Sequence, residues 1–413
     1  MNVAARRREP APLASTRPCP VCRSARATSL HRQRYALFDD SDLPVDTTIV
    51  ACDDCGMVYA ASDAKAEDYR RHYARHSKYD TAAQVSGSGE TPADARRLDD
   101  LVGFLVKNVP SLAAHGTAIL DIGAGRGGLL AAFLGHGHDR IVGIDPSPGC
   151  VEAMRAHGIA AEVGELEQSA WPIDPRHFDL VVLSHVLEHV FDVADAFERV
   201  VQRVAAGGSI YLEVPDAARY TVERFPPFYF FDPEHINHFD APMLGRLASR
   251  HGWEVTAPWS RVLDVGAGQR YPAVGVVLQR SNGAASITHT SAVSAIRRYV
   301  EASTVAAASS VDAAKLEALI AGQTPVVVWG AGSHAQRLLA QTGLARCAIA
   351  CLIDSDPGKQ GRSLDGHHVV APDDGLAHAD ALGASIVVAI AVGSEPVVDL
   401  IHRARPGIPV VRL

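Results

Sequence analysis

The 413-residue chain is 47% hydrophobic and 21% charged, which is enough apolar side chain for two or three buried cores. Its net charge of −8 argues against a nucleic-acid partner, which needs a basic surface. No apolar run reaches the roughly 18 residues of a membrane span, so no membrane partner is expected.

Residues 1–14 read as a disordered tail. Arg6-Arg7-Arg8 precede Pro10 and Pro12, and the apolar stretch of a secretory signal is missing, so the expected location is cytoplasmic. The seven cysteines then divide sharply. Cys19-x-x-Cys22 and Cys52-x-x-Cys55 form matched pairs, while Cys150, Cys347 and Cys351 stand apart. In a reducing compartment such pairs point to metal rather than to disulfides. Four thiolates complete the tetrahedral shell of Zn2+ and leave no position for water, so the expectation is a structural zinc. The 29 residues between the pairs exceed the usual ribbon spacing and predict a small insertion. Gly56 allows a left-handed turn after the second pair. The zinc-binding module is placed at 15–75.

Helical spacing begins near Lys65, with Tyr69, Tyr73 and His76 on related turns. A polar break runs from Ser86 to Pro92. Thr91 or Asp94 is then suited to cap a helix carrying Leu98, Leu101, Val102, Leu105 and Val106. Ile119-Leu120-Asp121-Ile122 runs into Gly123-Ala124-Gly125-Arg126-Gly127-Gly128. A second apolar run ends at Asp145, 18 residues after Gly127. This predicts a strand, a glycine turn, a helix and a second strand tipped by a carboxylate able to hold two ribose hydroxyls. The third glycine comes one place early for a dinucleotide fingerprint, although Gly128 completes it by count. Later strands follow at Phe178–Leu183 and Ser209–Val214, with Ser184-His185-Val186-Leu187-Glu188-His189 after the first of them. The Ala273–Gln279 run predicts a reversed strand. Leu263-Asp264-Val265-Gly266-Ala267-Gly268 nearly copies the first glycine motif, but no acid-tipped strand follows it, so it reads as a turn between the last two strands.

Together these residues resemble the class I S-adenosylmethionine-dependent methyltransferases over roughly 95–280. The resemblance implies an α/β, Rossmann-like, mostly parallel sheet with a reversed strand. It places Asp121, Gly123, Ala124, Gly125 and Gly127 under the methionine part of the cofactor and Asp145 on its ribose. Pro146 then edges the adenine, Glu165-Leu166-Glu167 add adenine contacts, and Ser184 and His185 lie near the sulfonium. The methyltransferase domain is assigned to 76–285.

Ser281–Ser286 reads as a linker, and 286–322 as a helical linker rich in alanine. A C-terminal Rossmann-like α/β domain at 323–413 begins with Val326–Trp329 and Gly330-Ala331-Gly332. Its second strand ends at Asp354 and a third spans Ile386–Ala391. An empty scaffold and a substrate-binding role stand as equal readings of this unit. The order of cysteine module, methyltransferase and C-terminal unit resembles the sugar C-methyltransferase family, over nearly the whole chain. That resemblance implies a nucleotide-linked keto-deoxysugar as the small-molecule substrate.

Phe228-Tyr229-Phe230-Phe231-Asp232-Pro233-Glu234-His235 carries the candidate chemistry. The resembled family has a Tyr-x-Glu-His group here; Glu234 and His235 match it, and Asp232 replaces the tyrosine. Methylating carbon requires removal of a proton next to a ketone, which suits histidine, and a donor for the enolate oxygen. His235 is assigned as base, with Glu234 orienting a sugar hydroxyl or the imidazole, and His189 as the group that polarises the carbonyl. His185 and Glu188 read as cofactor contacts, and His238 as a packed residue. The family's active-site tyrosine falls near Tyr73 or Tyr79, of which Tyr79 is preferred, while Tyr69 reads as core. Transfer to oxygen or nitrogen uses the same base and stays open. So do a zinc-bearing scaffold with a vestigial cofactor site and an NAD-dependent use of the C-terminal glycine motif. The sugar and the oligomeric state are not encoded legibly.

Overall fold

The computed structural model describes residues 13–14, 17–75, 89–114, 116–167, 177–223, 225–264, 269–281, 290–308 and 311–413. Among them no helix is long and apolar enough to cross a membrane. The cysteine module opens with an antiparallel sheet in which β1 (Leu13–Ala14), β2 (Arg26–Arg34), β3 (Asp46–Cys52) and β4 (Val58–Ala61) pair in chain order. Gly56 takes the left-handed conformation (φ 77°) and donates its amide to Cys52 O, which closes the second knuckle. The insertion between the cysteine pairs is the β2–β3 hairpin. Its connection docks on the C-terminal unit, where Ala36 N donates to Gln336 O at 2.9 Å and Phe38 bridges Leu364. α1 (Ala66–Arg75) follows and buries Tyr69.

α2 (Pro92–Asn108) starts at Thr91, whose side chain accepts from Asp94 N, with Pro92 in the first turn. Thr91 is therefore the cap. Asp94 instead holds Gly89 N and Arg97. Leu98, Leu101, Val102 and Leu105 turn the helix's apolar face onto the next sheet. The middle unit then alternates. β5 (Ile119–Ile122), α3 (Gly128–Gly135), β6 (Ile141–Asp145), α4 (Pro148–Ala156) and β7 (Ala160–Val163) form its first half. β8 (Phe178–Ser184), α5 (Val193–Val201) and β9 (Val204–Pro215) lead to β10 (Asn237–His238), α6 (Ala241–Ser249), β11 (Trp253–Asp264) and β12 (Arg270–Arg280).

The seven strands lie in the order β7-β6-β5-β8-β9-β12-β11, parallel except for β12, which runs against both of its neighbours. The strand order reverses between β5 and β8, and ligands bind such sheets outside the carboxyl ends at that point. The second glycine motif falls at the β11–β12 hairpin, with 265–268 outside the described residues. Gly275 in β12 has a steric reason: a Cβ there would lie 2.2 Å from the Tyr211 hydroxyl. β10 leaves this sheet to pair with β4, so the cysteine module's sheet is completed by the middle of the chain.

α7 (Ala292–Ala308) and α8 (Val311–Ala321) occupy the stretch read as a helical linker; residues 282–289 are outside the described set. α7 is packed. Tyr299 Oη accepts from Phe230 N at 3.1 Å and Ser303 Oγ from Phe228 N at 3.2 Å. The last unit comprises β13 (Pro325–Trp329), α9 (Ser333–Gln341), β14 (Ala348–Ile353), β15 (Ser363–Leu364) and β16 (His367–Val370). α10 (Pro372–Leu382), β17 (Ser385–Val388), α11 (Ser394–Ala404) and β18 (Val410–Arg412) complete it. Its sheet order is β15-β16-β14-β13-β17-β18, parallel except at the β15 edge.

Asp240 joins two helices. Its Oδ1 accepts from Met243 N at the start of α6, and Oδ2 accepts from Thr290 Oγ1, Ser291 N and Ala292 N at the start of α7. Asp240→Ala would strand buried amides at both helix ends, at a cost on the order of 3 kcal/mol. Thermal unfolding should show this loss, with Asp240→Asn intermediate because it keeps one acceptor.

Candidate functional site

A cavity of about 800 Å3 opens at the carboxyl ends of β5, β6 and β8. Its floor is the glycine turn. Gly123, Gly125 and Gly127 all have positive φ (69°, 53° and 83°), which a side chain would resist. A Cβ on Gly123 would lie 2.6 Å from Val186, while at Gly125 it would meet nothing within 4 Å, so that glycine faces open space. Gly123 N and Ala124 N donate to Ile144 O and hook the turn onto β6. Asp145 closes it, with Oδ2 accepting from Gly125 N at 2.8 Å and Oδ1 from Ser147 N at 2.9 Å. The carboxylate also lines the cavity, where a ligand hydroxyl can reach it. Pro146, Glu165, Leu166 and Glu167 line the adjoining wall. This empty-sided cradle with a terminal acid fits an adenosyl group.

Asp121 sits beneath, 3% exposed. Burial, and then the charge of Asp145, push its carboxyl up to about 8. Beyond the turn, His185 (φ 57°) follows β8 in a conformation uncommon for a non-glycine residue. Its Nδ1 lies 3.1 Å from Glu188 Oε1 and its Nε2 lies 3.5 Å from Glu213 Oε1. Burial alone would lower its pKa, but the hydrogen bond and charge of the two glutamates more than offset that and raise it to about 9. Burial in turn would raise Glu188, yet His185 holds it at about 2. Glu213 also accepts from Arg261 Nη1 and Tyr211 Oη, both at 2.7 Å. Ser184 Oγ donates to the same carboxylate at 3.3 Å. Sequence reasoning missed Glu213 and Arg261, which lie on separate strands that only the sheet brings together.

The reactive wall comes from three segments. His189 Nδ1 lies 3.0 Å from Tyr73 Oη and 3.1 Å from Glu234 O. A carbonyl only accepts, so this contact puts a proton on Nδ1. His235 packs edge-on against His189, with ring centroids 4.8 Å apart. Glu234 contacts His189 through its backbone, while its carboxylate faces His72 Nε2 at 3.7 Å. The Glu234 carboxylate also lines the cavity beside His235. Tyr73, the less favoured of the two tyrosines, lines the site; burial raises its pKa well above the usual phenol value and keeps it protonated, so with a proton on His189 Nδ1 its hydroxyl donates to Glu234 O at 3.4 Å. Tyr79 lies outside the described residues. Asp232 Oδ1 accepts from Glu234 N at 2.9 Å and caps the turn. His238 is buried against Tyr220 Oη at 3.2 Å, and burial lowers it to about 3.

The far wall belongs to the C-terminal unit: Trp329, Gly330, His334, Arg337 and Lys359 line the same cavity. Arg337 Nη1 donates to Phe228 O at 3.1 Å and ties α9 to the aromatic segment. Gly330 (φ 118°) is set by packing, since a Cβ would lie 2.7 Å from Ala389 O.

Away from the cavity, Cys19, Cys22, Cys52 and Cys55 gather with their sulfurs within 4.8 Å of one another. Cys19 Sγ is 3.5 Å from Cys55 Sγ, and Cys22 Sγ is 3.4 Å from Cys52 Sγ. A Zn–S bond of about 2.3 Å implies tetrahedral edges of about 3.8 Å, so the donor set fits zinc.

The sequence profile of the methyltransferase-domain family matches residues 93–257. Among curated proteins, the ubiquinone biosynthesis O-methyltransferase of Alkalilimnicola ehrlichii is 29% identical over 180 residues, covering 41% of this chain and 68% of that protein. The human mitochondrial protein of that name is 31% identical over 123 residues, covering 28% of this chain and 33% of its own length. Among solved structures, an S-adenosylmethionine-dependent methyltransferase of Mesorhizobium loti is similar at 21% identity, with TM-score 0.35 over 43% of this chain and 96% of that one. A 1,6-didemethyltoxoflavin-N1-methyltransferase of Burkholderia thailandensis is similar at 16% identity, with TM-score 0.39 over 56% of this chain and 98% of that one. The middle of the chain is an S-adenosylmethionine-dependent methyltransferase domain with the class I, Rossmann-like fold. The sequence relatives just named are O-methyltransferases, not sugar C-methyltransferases. The matched profile includes neither the cysteine module nor the C-terminal unit.

The Asp121 carboxyl makes a pH prediction. Its folded value of about 8 lies above the unfolded value of about 4, so the folded chain keeps a proton that the unfolded chain releases. Its contribution to stability is complete below pH 4 and falls as pH rises through 8. A sulfonium cation favours the carboxylate, so affinity for S-adenosylmethionine should rise from pH 6 to 8 with proton release. Calorimetry in buffers of different ionisation enthalpy measures both, and Asp121→Asn should flatten the dependence.

Proposed function

We propose that this protein transfers a methyl group from S-adenosylmethionine to a carbon of a nucleotide-linked keto-deoxysugar. What supports this reading is one cavity in which the cofactor cradle, the two histidines and the C-terminal wall face each other. The donor, when bound, supplies a methyl group already electrophilic on sulfur, so the protein's work is to make and aim a nucleophile. Asp145 and the glycine turn hold the adenosyl end. Lys359, Arg337 and the N-terminus of α9 give the opposite wall positive potential suited to phosphates. The sugar then lies between them, against Tyr229, Phe230 and Tyr271.

His235 takes the proton next to the ketone. His189, in its imidazolium form, donates Nδ1–H to Glu234 O and presents Nε2–H to the enolate oxygen. Tyr73 keeps the His189 ring in plane for this, and the aromatic wall excludes water. The four thiolates hold a structural zinc.

A second reading is transfer to oxygen, favoured by the names of the relatives. The same base removes a hydroxyl proton. Incubation with methyl-labelled donor and candidate keto-sugar nucleotides, followed by NMR of the product, separates the two. A methyl on carbon supports the first reading, and a methyl on oxygen replaces it with the second. Removing the base should cost turnover while leaving donor affinity intact. His235→Ala should bind S-adenosylmethionine normally and lose about 10^2–10^4-fold in kcat. Wild-type kcat in that variant would take His235 out of the mechanism.

A further inference from the structure

Arg17 lies two residues before the first knuckle cysteine and is 2% exposed. Its Nη1 donates to Ala60 O at 3.1 Å and Ile236 O at 3.2 Å. Its Nη2 donates to Phe191 O at 2.6 Å, Asn237 Oδ1 at 3.0 Å and Val190 O at 3.3 Å. The guanidinium also lies 4.6 Å from the centre of the Phe191 ring. Val190 directly follows His189, and Ile236 directly follows His235. Each histidine is thus succeeded by a carbonyl that Arg17 holds.

Asn237 ties the same two segments to each other. Its Nδ2 donates to Leu187 O at 2.8 Å and Val190 O at 2.7 Å. Ile236 N and Asn237 N both donate to Glu188 O. The Arg17 backbone is fixed within its own module, because Tyr59 Oη donates to Arg17 O at 3.3 Å, and three residues on Pro20 O accepts from Ala194 N of α5 at 2.9 Å. Arg17 itself does not line the cavity.

We propose that Arg17 is a positioning residue for methyl transfer, through which the cysteine module sets the spacing of His189 and His235. Only a planar fork with five N–H donors satisfies several converging carbonyls in one geometry, and a lysine ammonium does not. Buried carbonyls deprived of that fork must move or stay unsatisfied, and the histidines move with them. An error of about 1 Å in a reacting pair is enough to cost about a hundredfold in rate. This inference rests on the histidine roles proposed above.

The test uses the full chain as wild type, Arg17→Lys and Arg17→Ala. Both variants should bind S-adenosylmethionine within about threefold of wild type, keep KM for the acceptor within a few fold, and lose about 10- to 100-fold in kcat. Ring nitrogen NMR should show His189 and His235 shifted in both. Millimolar guanidinium should restore part of the kcat of Arg17→Ala and none to Arg17→Lys, whose ammonium fills the space. Removing the metal from wild type should shift the same two rings. Wild-type kcat with unmoved rings would overturn the proposal. So would a parallel collapse of donor affinity, melting temperature and kcat without guanidinium rescue, which marks a purely structural residue. Should wild type bind the donor yet methylate no keto-sugar, the function reading fails, while the ring resonances still decide the placement of the histidines by Arg17.

Discussion

The Asp145 carboxylate holds the glycine turn shut, and the rest of the site is arranged around that contact. A turn with three left-handed residues in five has little conformational preference of its own. Gly125 N and Ser147 N, both bonded to Asp145, connect its far side to the start of α4. The acid therefore shapes the cradle before it binds anything. The C-terminal unit repeats the device, since Asp354 Oδ2 accepts from Ala331 N at 3.0 Å at the end of its second strand. There the same oxygen also meets Lys359 Nζ at 3.1 Å. Asp354 thus carries an ion pair at the tip of that strand.

Beneath the cradle the chain buries charge on purpose and balances it. Glu188, Glu213, His185 and Arg261 form a run of two anions and two cations, each nearly out of solvent except for the edge of His185. Such a run is poor evidence for stability, because desolvating four ions costs as much as their pairing returns. Its value is geometric. It fixes the strained His185 turn at the end of β8 and leaves a neutral surface under a cationic donor. Asp121, isolated from that run, is the group whose charge remains to be settled by the ligand.

The parts legible in the sequence were those encoded by local pattern. The β5–Asp145 unit announces itself through glycines and apolar runs, and the four cysteines through spacing. The reversed β12 was readable from one continuous apolar stretch, and the Thr91 cap from its position before Pro92. What escaped was everything made by convergence. Tyr73 and Tyr79 look alike as strings, and only the placement of α1 puts Tyr73 against His189. Arg17 carried no signal at all, since an arginine near a knuckle is ordinarily a solvated residue. Glu213 and Arg261 are far apart in sequence and meet only through the order of β9, β12 and β11.

The aromatic segment 228–239 explains why a three-part chain has a single site. Phe228 N and Phe230 N are held by α7, Phe228 O by Arg337 of α9, and Phe231 O by Tyr35 of the cysteine module at 2.9 Å. Asn237 and His238 then enter the module's own sheet as β10. Within residues 228–236 the loop's own backbone bonds are isolated turns, such as Phe231 N to Phe228 O and His235 N to Asp232 O, and its path between them is set from three sides. Glu234 and His235 sit in the stretch where those three constraints meet. Methyl transfer requires their placement to within a fraction of an ångström, which a free loop does not provide. The flanking units are therefore part of the catalytic geometry, and isolating the middle of the chain would leave the donor cradle intact while releasing the residues that aim its methyl group.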